Sequence, residues 1–227
     1  MAQPQRFALS EVILGGQDGL VNVLGVILGV AAAGADHNVI IAGGLAATFA
    51  ESVSMAAVAY TSTTADQDYY EAQKRKERRD IVLDPAGEIQ DIRTIFEAEG
   101  FRGSQLESII KTITHNKKAW VDVMMSEELH LQPVSKKSSL RSAFIVGMSA
   151  LVGSFVPLVP FFLFPAAISM PIAIGISAVT LFVLGAYKAH ITVGKWYKSG
   201  AQIAIIGLVS AMIGFLIGTL FNVSSAI

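Results

Sequence analysis

Five apolar segments of this chain are long enough to cross a lipid bilayer as helices. Such a helix needs about 20 mostly apolar residues to span the hydrocarbon core. The segments cover residues 12–34, 39–60, 142–163, 168–187 and 201–223. Hydrophobic residues make up 52% of the chain and charged residues only 15%, which is far from the composition of a soluble domain. We therefore predict an all-α integral membrane protein with five transmembrane helices.

The charges between these segments predict which side of the membrane each end of the chain occupies. The short links at residues 35–38 and 164–167 contain no Lys or Arg, whereas Arg6, the stretch 61–141 and the lysines after the fourth segment fall on the other side. Because positively charged loops remain in the cytosol, we predict a cytoplasmic N-terminus and a C-terminus on the opposite side. The first ten residues carry no cleavage site of small residues, so the first segment is expected to remain a span.

A polar insert, residues 61–140, separates the second and third apolar segments, and we predict that it is a cytoplasmic helical domain. Spans one and two then occupy residues 1–60, and spans three to five occupy residues 141–227. The second span continues into the insert without a Gly or Pro before Pro85, so its helix is expected to extend beyond the membrane. Asp84 is a good N-cap and Pro85 a good first residue for the next helix.

Two further helices are predicted in the insert. Gly100 is the expected end of the helix that follows Asp84, because glycine readily adopts the left-handed conformation found there. Ser104 and Glu107 have the spacing of a capping box, in which each side chain bonds to the backbone N–H of the other residue. This spacing predicts that Ser104 starts the next helix. A last helix is expected over residues 117–129.

Two acids lie inside the first two apolar segments. Asp18 and Asn22 are four residues apart on the first, and Glu51 and Met55 are four apart on the second, so each pair shares one helix face. A carboxylate near the bilayer centre costs about 2.5–3.5 kcal/mol on insertion scales and usually marks an ion path or a buried pair. No Lys, Arg or His occupies a similar depth, so a metal ion or a proton must neutralise the acids. We predict that these four residues form a transport pathway; the alternative is that Asp18 clamps a neighbouring helix and Glu51 pairs with a cation.

A set of acids and methionines in the insert could bind a metal ion. Its members are Glu77, Asp80, Glu88, Asp91, Met124, Met125 and Glu128. Carboxylates together with thioether sulfur suit a borderline ion such as ferrous iron better than calcium or magnesium. The ordinary alternative is that the acids are solvated helix surface and the methionines fill a core. His115 and His130 are further possible ligands, but no His-x₃-His spacing supports them.

Four motifs, in order along the chain, resemble the vacuolar iron transporter family. They are DGLVN at residues 18–22, SMA at 54–56 followed by Tyr60, WVDVMMSEEL at 120–129 and VPLVPF at 156–161. The order of elements also agrees over nearly the whole chain, with two spans, a helical insert and three further spans. Any one motif would be weak, but four in order are specific.

The resemblance implies a five-span homodimer that acts as an antiporter, exchanging ferrous ions, and often manganese, for protons. It implies an ion path at the dimer interface between the first two spans, with Asp18 as the acid of the first span and Met55 as the methionine of the second. It also implies that the seven residues of the insert bind metal. Independently of the resemblance, mixed oxygen and sulfur ligands also suit Co²⁺ or Zn²⁺. The metal is the cargo, and no prosthetic group is expected.

Three positions depart from the family pattern. Asp80 and Asp91 stand where a Glu is expected, and their shorter side chains would alter the geometry of a metal site. The second-span pattern Ser-Met-Ala-x-Gly-Glu-Tyr has Ala59 in place of its Glu. Glu51 lies one turn on the other side of Met55, which places an acid closer to the membrane centre.

The leading prediction is therefore a proton-coupled transporter that moves ferrous iron, with manganese as a second cargo, out of the cytosol. The alternative is a membrane-anchored cytosolic metal sensor or buffer, in which only the insert binds metal. The intramembrane acids argue against this alternative, because an anchor does not need them. The chain carries no nucleophile elbow, phosphate loop or metalloprotease motif, so we do not expect an enzyme.

Composition limits the partners. The chain has no Cys, which excludes a disulfide framework and thiolate metal sites. The net charge is −1, so bulk charge does not suggest a nucleic-acid partner. We expect divalent metal ions, protons, membrane lipid and a second copy of the chain as partners. A vacuolar membrane and a prokaryotic plasma membrane both fit the sequence.

Overall fold

The computed structural model describes residues 3–133, 135–192 and 194–221, and every regular element in these ranges is a helix. Eight are α-helices, and a short π-helix, Met124–Glu128, follows the fifth. The α-helices are α1 (Gln3–Ala32), α2 (His37–Leu83), α3 (Pro85–Ala98), α4 (Gly103–Thr114), α5 (Lys117–Val123), α6 (Lys136–Leu163), α7 (Ala166–Ile191) and α8 (Trp196–Leu220). The all-α prediction is confirmed.

The chain divides into two compact units, which are described separately below. The membrane unit comprises Met1–Tyr60 and Leu140–Ile227, and the insert unit comprises Thr61–Ser139. Within the described residues five helices, α1, α2, α6, α7 and α8, are long and apolar enough to cross a membrane. This confirms the prediction of five spanning helices.

The helix ends differ from the predicted spans by several residues. Helix α6 begins at Lys136 and α8 at Trp196, both earlier than the apolar segments do, and α7 continues to Ile191. Polar residues at a span's edge can remain helical, so hydropathy marks the lipid-exposed part of a helix better than its ends. The last two residues of the predicted fifth span, 222 and 223, lie outside the described ranges.

Glycines bring the helices of the membrane unit into backbone contact. A Cβ added at Gly29 of α1 would lie 2.8 Å from the carbonyl oxygen of Gly214 on α8, and one added at Gly218 would collide with the backbone of Gly29. One added at Gly15 would collide with the carbonyl oxygen of Val146 on α6. Small residues are enriched where membrane helices pack this closely. These glycines therefore pack helices within one subunit.

The insert unit surrounds its own apolar core. The buried residues are Tyr70, Ile81, Ile92, Leu106, Ile110, Trp120, Val121, Met124 and Met125. Helix α3 begins as predicted, with the side chain of Asp84 accepting a hydrogen bond from the backbone N–H of Gly87 at 3.0 Å and Pro85 as the first helical residue. Gly100 follows the end of α3 with a φ of +100°. Both local predictions are confirmed.

Two other local predictions need correction. Helix α4 begins at Gly103, so Ser104 lies inside its first turn and caps nothing, and Glu107 pairs with Arg93 of α3 instead. The capping box was wrong because Gly103, with a φ of +56°, lets the helix begin one residue early. The last helix, predicted over residues 117–129, is α-helical only to Val123 and continues as the π-helix. Spacing in the sequence does not reveal this wider turn.

Candidate functional site

The structure brings together three of the four predicted pathway residues in the membrane unit. The side chain of Glu51 on α2 interacts directly with those of Asp18 and Asn22 on α1, at hydrogen-bonding range. Asp18 and Glu51 are half-buried and Asn22 is exposed. Met55 is also half-buried and lies one turn after Glu51, so its helical register places it on the same face of α2.

Helix α6 contacts both helices beside this pair of acids. A Cβ added at Gly153 of α6 would collide with the backbone of Gly16, two residues before Asp18. A Cβ added at Gly147 of α6 would lie 2.8 Å from the Cβ of Ala56 and 3.2 Å from the carbonyl oxygen of Ser52, the residue after Glu51. Close packing on α6 thus fixes the positions of α1 and α2 at the depth of the acids. Sequence reasoning missed this role, although glycines within an apolar span are its signal.

Contact between two carboxyl groups limits whether both can be ionised at the same time. Two bare carboxylates repel each other strongly where water is scarce, so such a pair shares a proton or binds a cation. Among the described residues, neither Asp18 nor Glu51 forms an ion pair with a Lys, Arg or His. With the Asn22 amide alongside, the pair can exchange a proton for a divalent cation.

The acids of the insert unit form a second group, which we call the acid cluster: Glu77, Asp80, Glu88, Asp91 and Glu128. Glu77 on α2 is only 3% exposed. Burial, followed by the negative charges of Glu77, Glu128, Asp91 and Asp80, raises the pKa of Glu88 to about 7. Repulsion among nearby carboxylates means that the acid cluster holds protons or attracts cations near neutral pH.

The pKa values of two further acids of the cluster, Glu77 and Glu128, are raised as well. Burial, and then the charge of Glu128, raises the pKa of Glu77, while Lys76 opposes this shift. Burial, and then the charge of Asp91, raises the pKa of Glu128. Lys76 forms an ion pair with Asp80 at 3.7 Å. Sequence reasoning allowed for nearby Lys and Arg as partners of these acids, and Lys76 neutralises part of the cluster's charge.

Of the other candidate ligands in the insert, the methionines are buried and the histidines are exposed. Met124 and Met125 are completely buried in the apolar core of the insert unit, where they serve as filler in this conformation. His115 and His130 are exposed, and His130 has a left-handed φ of +53°. The structure thus unites the five acids in one electrostatic group and places the two thioethers in the neighbouring core.

Within the described ranges the acid cluster does not form a finished metal coordination shell. Within the described ranges, no three His, Asp or Glu side chains lie close enough together to hold one metal ion. One carboxylate oxygen of Glu88, Oε2, is buried and has no hydrogen-bond partner. A buried carboxylate oxygen without a donor, surrounded by other acids, suits a divalent cation.

Comparison with known proteins covers nearly the whole chain. A sequence model of the VIT family matches residues 9–219. The chain is 29% identical over 206 residues to Vacuolar iron transporter 1 of Arabidopsis thaliana, an alignment that covers 90% of this chain and 82% of that protein. It is 29% identical over 202 residues to Vacuolar iron transporter 1 of Oryza sativa subsp. japonica, covering 88% and 80%.

A more distant organism supplies a similar match. The Vacuolar iron transporter of Plasmodium falciparum is 28% identical over 224 residues, which covers 94% of this chain and 82% of that protein. The residues matched by the family model include the two spans with the paired acids and the entire insert.

Proposed function

Because this chain belongs to the VIT family, we propose that it moves ferrous iron out of the cytosol across a membrane in exchange for protons. It is an integral membrane protein, whose described residues form five helices that can span a bilayer, and the relatives it matches are named iron transporters. The observation that carries the proposal is the contact between Asp18 and Glu51. An anchor or an enzyme scaffold has no need of two acids in contact within a membrane.

The paired acids can carry metal and protons alternately. A divalent cation that enters between Asp18 and Glu51 displaces the protons that neutralise them, because carboxylates must be deprotonated to bind metal. The metal-bound pair and the fully protonated pair then have the same net charge, so either form can exist within the membrane. The Asn22 amide and the Met55 thioether complete the polar lining. A thioether favours ferrous iron over magnesium, and manganese, cobalt and zinc are further candidate cargoes.

The insert has a supporting role in this proposal. Its acid cluster collects cations from the cytosol, since a group of negative charges raises the local cation concentration. Glu77, Asp80, Glu88, Asp91 and Glu128 supply oxygen ligands. Met124 and Met125 lie in the adjacent core, so their sulfur atoms become ligands only if the π-helix rearranges. π-Helices are common at functional sites, which supports such a rearrangement.

The topology follows from charge and the assembly from the family resemblance. Lys and Arg flank the spans on one side, which supports a cytoplasmic N-terminus and insert with the C-terminus on the opposite side. We propose a homodimer, with the ion path between the first two helices of each subunit. The names of the relatives favour a vacuolar membrane, and the same topology suits a prokaryotic plasma membrane.

A second candidate is a membrane-anchored metal sensor or buffer, which the acid cluster by itself would serve. Uptake of labelled ferrous iron into proteoliposomes separates the two functions. For a transporter, iron accumulates in vesicles with an acidic interior, and a protonophore that dissipates the gradient reduces this accumulation. Binding without accumulation would favour the sensor. Accumulation that is unaffected by the protonophore would replace the antiporter with a channel or a uniporter.

A further inference from the structure

A cleft between α1 and α7 has the chemistry of a phospholipid site. Its volume is about 510 Å³, and it lies between the first half of α1 and the last turn of α7. One wall is apolar and includes Ile13, Leu14 and Ile191. The polar lining includes Lys188, Ser10 and Gln17. A positive charge beside an apolar wall is the arrangement that an anionic lipid requires.

The cleft provides hydrogen-bond donors together with the positive charge. Lys188 is exposed, and among the described residues it pairs with no carboxylate. The described lining residues include no Asp or Glu. The hydroxyl of Thr192, another lining residue, donates to the carbonyl oxygen of Lys188 at 2.9 Å. This leaves the Ser10 hydroxyl as a donor for an anion beside the ammonium group.

Aromatic residues place this end of α7 at the level of the lipid headgroups. Tyr187, Trp196 and Tyr197 are 51%, 59% and 47% exposed, next to the exposed Lys195 and Lys198. Exposed Trp and Tyr concentrate at the interface between a membrane and water, and lysines accompany them on the cytoplasmic side. The Lys188 ammonium group therefore lies near lipid phosphates, while the apolar wall faces acyl chains.

We propose that the cleft between α1 and α7 binds an anionic glycerophospholipid. Its phosphate contacts Lys188, with Ser10 as a donor, and an acyl chain covers Ile13, Leu14 and Ile191, with Gln17 deeper in the cleft. Basic pockets between spanning helices on the cytoplasmic side are known to suit such headgroups. The bound lipid bridges α1 and α7, and thereby stabilises the helix that carries Asp18, the residue after Gln17. The inference depends on the membrane architecture and not on which ion is transported.

Thermal unfolding and native mass spectrometry of the delipidated full-length protein test this site. Phosphatidylglycerol and phosphatidylcholine with identical acyl chains are compared, together with glycerol 3-phosphate as a headgroup without chains. We expect phosphatidylglycerol to raise the melting temperature and remain bound, and the other two to have little effect. Equal effects of the two lipids, or a full effect of glycerol 3-phosphate alone, would overturn the proposal.

Substitutions of Lys188, with Lys198 as a control position, test whether phosphatidylglycerol binds in the cleft. Lys188→Met should weaken phosphatidylglycerol binding by about fivefold, since one Lys near a membrane surface contributes about that factor. Lys188→Arg should restore it. Lys198→Met, which removes an exposed lysine outside the cleft, should bind as wild type does. If Lys188→Met binds phosphatidylglycerol as tightly as Lys198→Met, the proposed site is wrong.

Discussion

The carboxyl group of Glu51 on α2 is in direct contact with the carboxyl group of Asp18 on α1. The two residues are 33 positions apart in the chain, yet they lie at the same depth. The same number of residues separates Asp18 from the end of α1, at Ala32, and Glu51 from the start of α2, at His37. A short link between two antiparallel spans thus aligns the acids. Because two adjacent carboxylates require a proton or a cation, this alignment is the basis of the proposed exchange.

Without metal, the insert should lose stability as the pH rises. The folded-state pKa of Glu88, about 7, lies above its ordinary value of 4.5, so folding favours the protonated form. The stabilising contribution is complete below pH 4.5 and is lost as the pH rises through about 7. Melting of the full-length protein with chelator present should show a loss on the order of 1–2 kcal/mol. Glu88→Gln should weaken this dependence of stability on pH. Glu99→Gln, at an exposed acid outside the cluster, should leave it unchanged.

Removing two acids of the cluster should slow transport only when metal is scarce. In Glu88→Ala/Asp91→Ala, the electrostatic attraction for cations falls while Asp18 and Glu51 remain. The metal concentration for half-maximal uptake should rise several-fold, with the maximal rate unchanged. Glu71→Ala/Glu99→Ala removes two exposed acids outside the cluster and is the matched control. A similar change in both double variants would reduce the acid cluster to ordinary surface charge.

A methyl group at Gly214 should destabilise the membrane unit. The added Cβ would collide with the carbonyl oxygen of Gly25 on α1, and forced overpacking typically costs about 1–3 kcal/mol. Gly175 lies within α7, and a Cβ added there meets nothing within 4 Å. Melting in detergent should therefore show a lower midpoint for Gly214→Ala and no loss for Gly175→Ala. Equal midpoints would contradict the contact between α1 and α8.

The starts of α3 and α4 should differ in how much stability the protein loses when a side-chain oxygen is removed there. Asp84→Ala removes the observed cap of α3 and should cost about 1 kcal/mol. Ser104→Ala should cost less than about 0.5 kcal/mol, as surface substitutions usually do, because Ser104 lies inside α4 and caps nothing. Chemical denaturation of the full-length protein, followed by the fluorescence of Trp120 and Trp196, compares the two variants. A larger loss of stability for Ser104→Ala than for Asp84→Ala would show that Ser104 does cap α4.

Local chemistry and long apolar runs were sufficient to predict much of the fold. The five spans follow from hydropathy, and the start of α3 follows from Asp84 and Pro85, because both depend on neighbouring residues. Partners distant in the chain could not be predicted in the same way. Gly25 and Gly29 indicate close packing but not that the partner is α8, which begins at Trp196. Only the three-dimensional packing of the helices identifies that partner.

The candidate sites show the same difference between features that neighbouring residues predict and features that depend on packing. That Asp18 and Glu51 could be neighbours followed from two adjacent spans, but the role of Gly147 and Gly153 in positioning them depends on how α6 packs. The five acids of the insert were identified from their spacing and residue type. The burial of Met124 and Met125 was only the alternative to metal binding, because it depends on the π-helix and on a core assembled from distant residues.

The most direct test of the account is uptake of labelled ferrous iron by proteoliposomes that contain either wild type or a variant of the acid pair, with an acidic interior. Asp18→Asn and Glu51→Gln each remove one carboxylate, so neither variant can carry a divalent cation as a neutral pair. We expect both to fold, as judged by melting, and to lose accumulation. Asp36→Asn, at an exposed acid in the link between α1 and α2, should transport as wild type does. Accumulation at the wild-type rate by well-folded Asp18→Asn and Glu51→Gln proteins would contradict the proposed pathway.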